Sequence, residues 1–367
     1  MGSSIRAIAQ ETGVSPSTVS RALRGTGRIS AKLRDKIRAA ANDAGFKVHP
    51  LLSQALTLAR QPQGTRYRET LAAIVEFPTE GGADYQKALL GGAEERARQL
   101  AYKLETFVLG GNPAHHRQLT RILWTRGIRG IIILPRVVNL NPRLHLEWDN
   151  FAAVEIGRRL WQPRNLHRVE TSQYPKTLET VHLLKKVGYR RIGMAVEPKQ
   201  NKQQNGTYYA GFLLMQQKFP THLRLPIPGL SGKWNEASFC DWMKRYTPEV
   251  LIVHDVVEIC QWLQKLKLRV PEDVSLFCVG IREDFPPGPH RDLVWTGLRA
   301  DQREQGRRTV DLVSHLLERG ELGLQGNPMC WQVDGHWRPG ATLSRPITQF
   351  ITDEGFLRAA LPRSLAT

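Results

Sequence analysis

At 367 residues the chain is longer than a single core usually grows, and 41% apolar against 23% charged residues excludes a small disulfide peptide, a fibre and a disordered chain. Lys and Arg number 52 against 34 Asp and Glu, a formal charge of +18 that asks for an acidic partner. Cys240, Cys260, Cys278 and Cys330 stand alone at wide spacings, which makes neither a zinc pattern nor a disulfide framework and fits a reducing cytoplasm. The N-terminus is polar where a signal peptide is apolar, and no run approaches the length of a membrane span.

The charge is uneven. Residues 1–70 hold 12 basic and 4 acidic side chains, a net +8, so this segment is over three times denser in positive charge than the remaining 297 residues with their net +10. Within it, Ile5, Ile8 and Ala9 draw one apolar stripe on a helix that Ser4 can cap and Gly13 ends. Ser15 can cap a second helix with Pro16 at its first position, and Val19, Ala22 and Leu23 repeat the stripe before Gly25. A third helix follows from the Ser30 cap, its buried face being Leu33, Ile37, Ala40, Ala41 and Ala44, up to Gly45. Three helices in this order, with a tight turn between the first two, form a helix-turn-helix head. Its second helix presents Pro16, Ser17, Ser20, Arg21 and Arg24 outward. Arg suits a bidentate contact with guanine, while hydroxyls and the helix N-terminus suit phosphates.

This stretch resembles the lactose-repressor (LacI) and purine-repressor family of bacterial regulators. The matching residues are Ile5-Arg6-Ala7-Ile8-Ala9, Gly13 through Leu23, Ile29-Ser30, Arg34-Asp35-Lys36-Ile37 and Ala44-Gly45-Phe46. The resemblance implies base reading by Pro16, Ser17 and Arg21, of which Pro16 can offer apolar contact only. Ser4, Ser15, Thr18, Ser20, Arg24 and Arg28 complete the set expected at double-stranded operator DNA.

From Pro50 to Pro62 lies a piece about three turns long, marginal alone in water. The resemblance makes it a hinge helix that pairs with its copy in a homodimer and drives an apolar wedge into the minor groove. The family's wedge leucine falls on Ala55, so Leu56, one position later, is the candidate, and the usual Pro-Asn pair is Val48-His49.

From Leu71 onward apolar runs alternate with helical spacing: 71–77, 130–135, 151–156, 192–196, 250–254 and 276–279 read as strands. Such alternation predicts an α/β body of parallel sheets covered on both faces. The resemblance continues through Val187-Gly-Tyr-Arg-Arg-Ile192 and Val270-Pro-Glu-Asp-Val-Ser275, and implies two periplasmic-binding-protein-like subdomains joined by three crossovers. The expected division is a head at 1–48, hinge helix and linker at 49–68, effector body at 69–342 and a C-terminal tail at 343–367.

Open α/β sheets bind ligands beyond the carboxyl ends of their strands. By position Phe77, Glu155, Trp234, His254, Asp255 and Arg282 are the effector candidates, for a sugar or related metabolite. Three departures bear on that effector: the family's sugar-holding arginine falls on Gly206, its Asn-Asp pair is His254-Asp255, and its later aspartate pair is replaced across Ile281-Arg282-Glu283-Asp284. No nucleophile elbow, phosphate loop or metal-spaced pair supports an enzyme, and no cofactor or metal is expected. The reading is thus a cytoplasmic transcriptional regulator, a repressor, without a membrane partner. Two alternatives stay open: a regulator whose cleft has lost its ligand, and a solute-binding protein without a regulatory role.

Overall fold

The computed structural model describes residues 5–23, 29–43, 68–75, 83–109, 112–135, 143–157, 162–230, 232–254, 256–281 and 294–352. Ser4, Arg24, Arg28, Leu56, Phe77, Asp255 and Arg282 lie outside the described residues, as do the side chains of Ser17 and Ser20.

Three helices open the chain: α1 Ile5–Thr12, α2 Pro16–Leu23 and α3 Ala31–Asp43. Neither eight-residue helix would persist alone, so the shared core holds them. That core is Ile8, Ala9, Val19, Ala22, Ile37, Ala40 and Ala41, with Val14, Ile29 and Leu33 packed against it. The turn between α1 and α2 runs through Gly13 at φ +73°, a left-handed conformation that glycine adopts without steric cost.

The body holds two sheets. The first contains β1 Thr70–Val75, β2 Lys103–Val108, β3 Gly130–Ile133, β4 Ala152–Ile156, β5 His167–Thr171 and β10 Cys330–Val333, in the order β10-β5-β4-β3-β1-β2, with every pairing parallel. The second contains β6 Ile192–Ala195, β7 Val250–Val253, β8 Ser275–Ile281, β9 Gly297–Arg299 and β11 His336–Arg338, in the order β11-β9-β8-β7-β6. Its edge strand β11 is antiparallel to β9, so this sheet is parallel except at one edge.

Strand periodicity divides the first sheet between two helix layers. Leu71, Ala73, Ile132, Val154 and Ile156 join Leu89 and Ala93 of α4 Ala83–Gln99 and Val310, Val313 and Leu316 of α11 Gln302–Arg319. Ala72, Ile74, Ile131, Ile133 and Ala153 join Leu119 and Leu123 of α5 Pro113–Thr125. The second sheet is likewise sandwiched. Ile192, Met194, Ile252 and Phe277 pack with α6 Gln173–Val187 and α8 Thr207–Gln216, whereas Leu251, Val253, Leu276 and Cys278 pack with α9 Glu236–Tyr246 and α10 Val256–Lys265. A short helix, α7 Pro198–Gln203, precedes α8.

The chain passes between the two subdomains three times: from β5 into α6, from β9 into α11, and from β10 into β11. Leu343, Ile347 and Ile351, which the resemblance left beyond the body, are buried in the core of the second subdomain. Phe350 packs there too, with the Lys186 ammonium 5.0 Å from its ring centroid.

Candidate functional site

In the head, Ser15 shapes the surface that α2 offers. Its Oγ accepts the Thr18 backbone N–H at 3.1 Å and lies 2.9 Å from the Thr18 hydroxyl, an N-cap that fixes the first turn. Val19 and Ala22 point into the core, which leaves Pro16 and Arg21 exposed and Thr18 half-buried on the opposite side. Lys36 of α3 donates to the Thr12 carbonyl at 3.3 Å, holding α3 against the end of α1. The result is a capped, outward-facing helix start with a cation in the helix's last turn.

The body carries a cavity of about 680 Å³ bounded by both subdomains. One wall is the carboxyl edge of the first sheet, through Pro135, Gly157, Glu170, Thr171 and Gln332, with Tyr85 of α4 and Gln305 of α11. The other is the start of α6 at Gln173, Tyr174 and Pro175, and the turn between α7 and α8 at Gln203, Gln204, Asn205 and Thr207. Hydrogen bonds orient these side chains: Gln173 Nε2 donates to Thr171 Oγ1 at 2.8 Å, Gln305 Nε2 to the Val169 carbonyl at 3.0 Å, and Gln332 Nε2 to Glu170 Oε1 at 3.4 Å. A wider groove of about 1210 Å³ lies between α5 and residues 143–148, but its lining belongs to the first subdomain alone. Only the first of these two cavities can couple a bound molecule to movement of one subdomain against the other. Among the described residues no cluster of three or more His, Cys, Asp or Glu could hold a metal ion, and no helix is long and apolar enough to cross a membrane.

Residues 4–48 match the family model "Bacterial regulatory proteins, lacI family", and residues 181–326 match "Periplasmic binding protein-like domain". The chain belongs to the LacI family. It is a transcriptional regulator with a DNA-binding head and a ligand-binding-type body. Among solved structures it is similar to the lac repressor dimer bound to operator and the anti-inducer ONPF, at 17% identity and TM-score 0.51, over 94% of this chain and 100% of that one. The transcriptional regulator CelR in complex with cellobiose gives 16% identity and TM-score 0.51 over 93% and 99% of the two chains. The LacI-family regulator CCPA from Weissella paramesenteroides with bound glucose gives 12% and 0.53 over 75% and 98%. At such identities these likenesses speak for the fold. No curated protein sequence matches the chain.

The effector candidates of this LacI-family chain that lie within the described residues do not line the 680 Å³ cavity. Glu155 is 4% exposed inside β4, in register with Ile133 and Arg168, because it falls on an inward position of a central strand. Trp234 lies in an aromatic cluster, 5.6 Å from Trp262 and 6.3 Å from Phe239 between ring centroids, on the outer α9–α10 layer. His254 does sit at the carboxyl end of β7, edge-on to Tyr208 at 5.9 Å, above Gly280, where a Cβ would come within 2.9 Å of the imidazole.

Gly206 has a different explanation from a lost clamp alone. Asn205 at φ 53° and Gly206 at φ 78° form consecutive left-handed residues, and the Gly206 N–H closes the end of α7 on the Asn201 carbonyl at 2.9 Å. The turn that lines the cleft therefore needs glycine for its backbone. Sequence reasoning passed over Gln173, Gln305 and Gln332. Of the strands that carry the lining, His-Arg-Val-Glu-Thr is polar at four of its five positions and Cys-Trp-Gln-Val is a short edge strand with only Val333 buried, so neither reads as a core strand and the strand-end rule had nothing there to act on.

Proposed function

We propose that this LacI-family regulator is a cytoplasmic homodimeric repressor that binds a roughly palindromic operator and is controlled by a small molecule held between its subdomains. The capped, outward-facing start of α2 carries the reading, since it offers Pro16 and Arg21 to a groove at the end of the chain richest in positive charge. On this proposal residues 1–48 form the head, 49–68 the hinge and 69–342 the effector body, whose second subdomain is completed by the buried Leu343, Ile347 and Ile351. Ser17 and Arg21 read bases while Ser4, Ser15, Thr18, Ser20, Arg24 and Arg28 position the head on the backbone. Leu56 serves as the minor-groove wedge. The operator-bound dimer and the cellobiose and glucose complexes among the similar structures support a dimeric assembly on DNA and a sugar-like effector. Effector binding biases subdomain closure and so the spacing of the paired hinge helices, a coupling of ~1–3 kcal/mol.

Selection of bound sites from random DNA tests this reading. A palindrome with two half-sites is expected, with affinity falling steeply as salt rises. Arg21→Ala then costs ~1–3 kcal/mol and relaxes selectivity at one base in each half-site. Equal weakening on every sequence would make Arg21 a phosphate contact instead. Gly206, in place of the family's sugar-holding arginine, favours one second reading, a regulator whose cleft takes no ligand. Reproducible thermal stabilisation by any sugar or nucleobase counts against it.

A further inference from the structure

We infer that the groove between α5 and residues 143–148 is a second ligand site, and that it takes a small organic anion, a phosphate monoester or a polycarboxylate, between Arg117 and Arg143. The site lies outside the cleft between subdomains and does not rest on the effector role proposed there.

Parallel strands are usually joined by a helix, but residues 143–147 of the β3–β4 connection form an extended strap beside α5. Leu144 and Leu146 are buried, and Arg143, His145 and Glu147 alternate with them on the exposed side. Helix α5 pins the strap by its backbone. His116 Nδ1 accepts the His145 N–H at 3.3 Å, and Thr120 Oγ1, one turn along, accepts the Glu147 N–H at 3.4 Å. Two extended residues span about 6.6 Å and four helical residues about 6 Å, so strap and helix run in step and in the same direction.

That register gives the groove two unlike ends. Arg143 falls toward the N-terminus of α5, where Pro113 and Arg117 also line the groove. Glu147, the one carboxylate in the lining, lies up to about 13 Å along the strap from Arg143, next to the half-buried Trp148.

The charge at the first end is uncompensated. Helix α5 has no Asp or Glu in its thirteen residues, although a carboxylate is favourable in a first helical turn. Elsewhere in the same subdomain Arg96, Arg126, Arg129 and Arg307 each hold a carboxylate at 2.6–3.0 Å. Arg117 and Arg143 are exposed, and among the described residues neither makes an ion pair. Two guanidinium groups and the positive end of a helix thus address one groove. An anion placed there relieves their repulsion, and guanidinium forks fit phosphate or carboxylate oxygens two at a time. The groove, at about 1210 Å³, is far larger than an inorganic ion needs, so the anionic group carries an organic body that extends toward Trp148.

Calorimetric titration of the full-length protein at physiological ionic strength with phenyl phosphate, citrate and phenol tests this. Phenyl phosphate or citrate is expected to bind while phenol, which lacks the charge, does not; whichever anion binds identifies the head group as phosphate or carboxylate. Arg117→Gln combined with Arg143→Gln should weaken that binding at least about tenfold. Arg190→Gln combined with Arg338→Gln removes the same charge from exposed positions of the second subdomain and should leave it within about twofold. A wild-type protein that binds neither anion, or binds phenol as well as phenyl phosphate, would overturn the inference. So would equal losses in the two double variants, which would mean attraction to net charge alone, or an affinity indifferent to Arg117 and Arg143, which would place the anion elsewhere. Both arginines are exposed, and the thermal transition of the double variant, expected within a few degrees of wild type, separates lost binding from lost folding.

Discussion

Gly306 and Leu89 touch through backbone: a Cβ built on Gly306 would stand 2.1 Å from the Leu89 carbonyl oxygen. The contact is reciprocal, since a Cβ on Gly92 would stand 1.9 Å from the carbonyl oxygen of Arg303. Helices α4 and α11 thus meet at two glycines, and around them Arg307 of α11 pairs with Glu95 of α4 at 2.9 Å and Arg96 of α4 with Asp311 of α11 at 2.6 Å. Gly306→Ala forces the helices apart. The helical preference of Ala, worth ~0.5–1 kcal/mol, opposes an overpacking cost of roughly 1–3 kcal/mol, so a net loss of stability is expected by urea unfolding of the body. A Gly306→Ala protein as stable as wild type would show that the helices can part without loss.

The head depends on its cap more than its small size suggests. Ser15→Ala removes the side-chain acceptor for Thr18 N–H and should cost about 1 kcal/mol. With seven buried apolar residues in the head core among the described residues, that loss is a large share of the head's own stability. Hydrogen exchange of α2 amides is the direct measurement. Faster exchange in α2 with unchanged exchange in β7 is expected, whereas uniform change would mean the two parts unfold together. Ser30→Ala, whose hydroxyl accepts from Leu33 N–H at a longer 3.4 Å, should have the smaller effect.

How much of this was legible in the sequence depended on burial. Ile131, Ile132 and Ile133 sit in a central strand covered on both faces, so three apolar residues in a row mark it. β2 is an edge strand whose Lys103 and Glu105 pair with each other at 2.7 Å and whose Val108 is exposed, and its pattern resembles a polar loop. β5 hides for another reason. His167 and Glu170 are held by specific hydrogen bonds rather than by apolar contact, and composition cannot reveal such bonds. The head was readable in detail because its turn and caps are local. The cleft was not, because its lining comes from seven separate stretches of chain brought together only by the three passages between subdomains.

His167 gives the body a pH dependence. The residue is buried, its Nδ1 accepts the Met329 backbone N–H at 2.9 Å, and Nε2 has no partner among the described residues. Burial is the main cause that lowers its pKa from the ordinary 6.5; Glu321 opposes the shift and His315 adds to it. In the unfolded chain the imidazole takes its proton at the ordinary value, so the unfolded state binds more protons below it. The contribution is complete above about pH 6.5 and is lost as pH falls from there toward the lower folded value. His182, lowered by burial and by Lys186, Lys185 and Lys218, acts in the same direction. Unfolding free energy measured from pH 8 to pH 5 should fall on the acid side, and His167→Asn should flatten that slope. An unchanged slope in the variant would assign the dependence to other groups.

The end of the body is best located by two truncations. A chain ending at Thr342 loses Leu343, Ile347 and Ile351, each buried in the second subdomain, at roughly 1.5–3 kcal/mol apiece. It also loses a polar lock: the Tyr189 hydroxyl lies 3.2 Å from Ser344 Oγ and 3.0 Å from Ser275 Oγ and accepts the Arg345 N–H at 3.0 Å, while the Arg345 guanidinium stacks on the Tyr189 ring at 4.8 Å. Removing these partners leaves the Tyr189 hydroxyl buried with Ser275 as its remaining neighbour among those groups. The summed loss is comparable to the whole stability of a domain, about 5–15 kcal/mol, so this truncation should fail to fold. A chain ending at Thr352 keeps every one of these contacts and should retain a cooperative thermal transition within a few degrees of the full-length protein. A folded chain ending at Thr342 would mean that residues 343–352 decorate the second subdomain instead of completing its core.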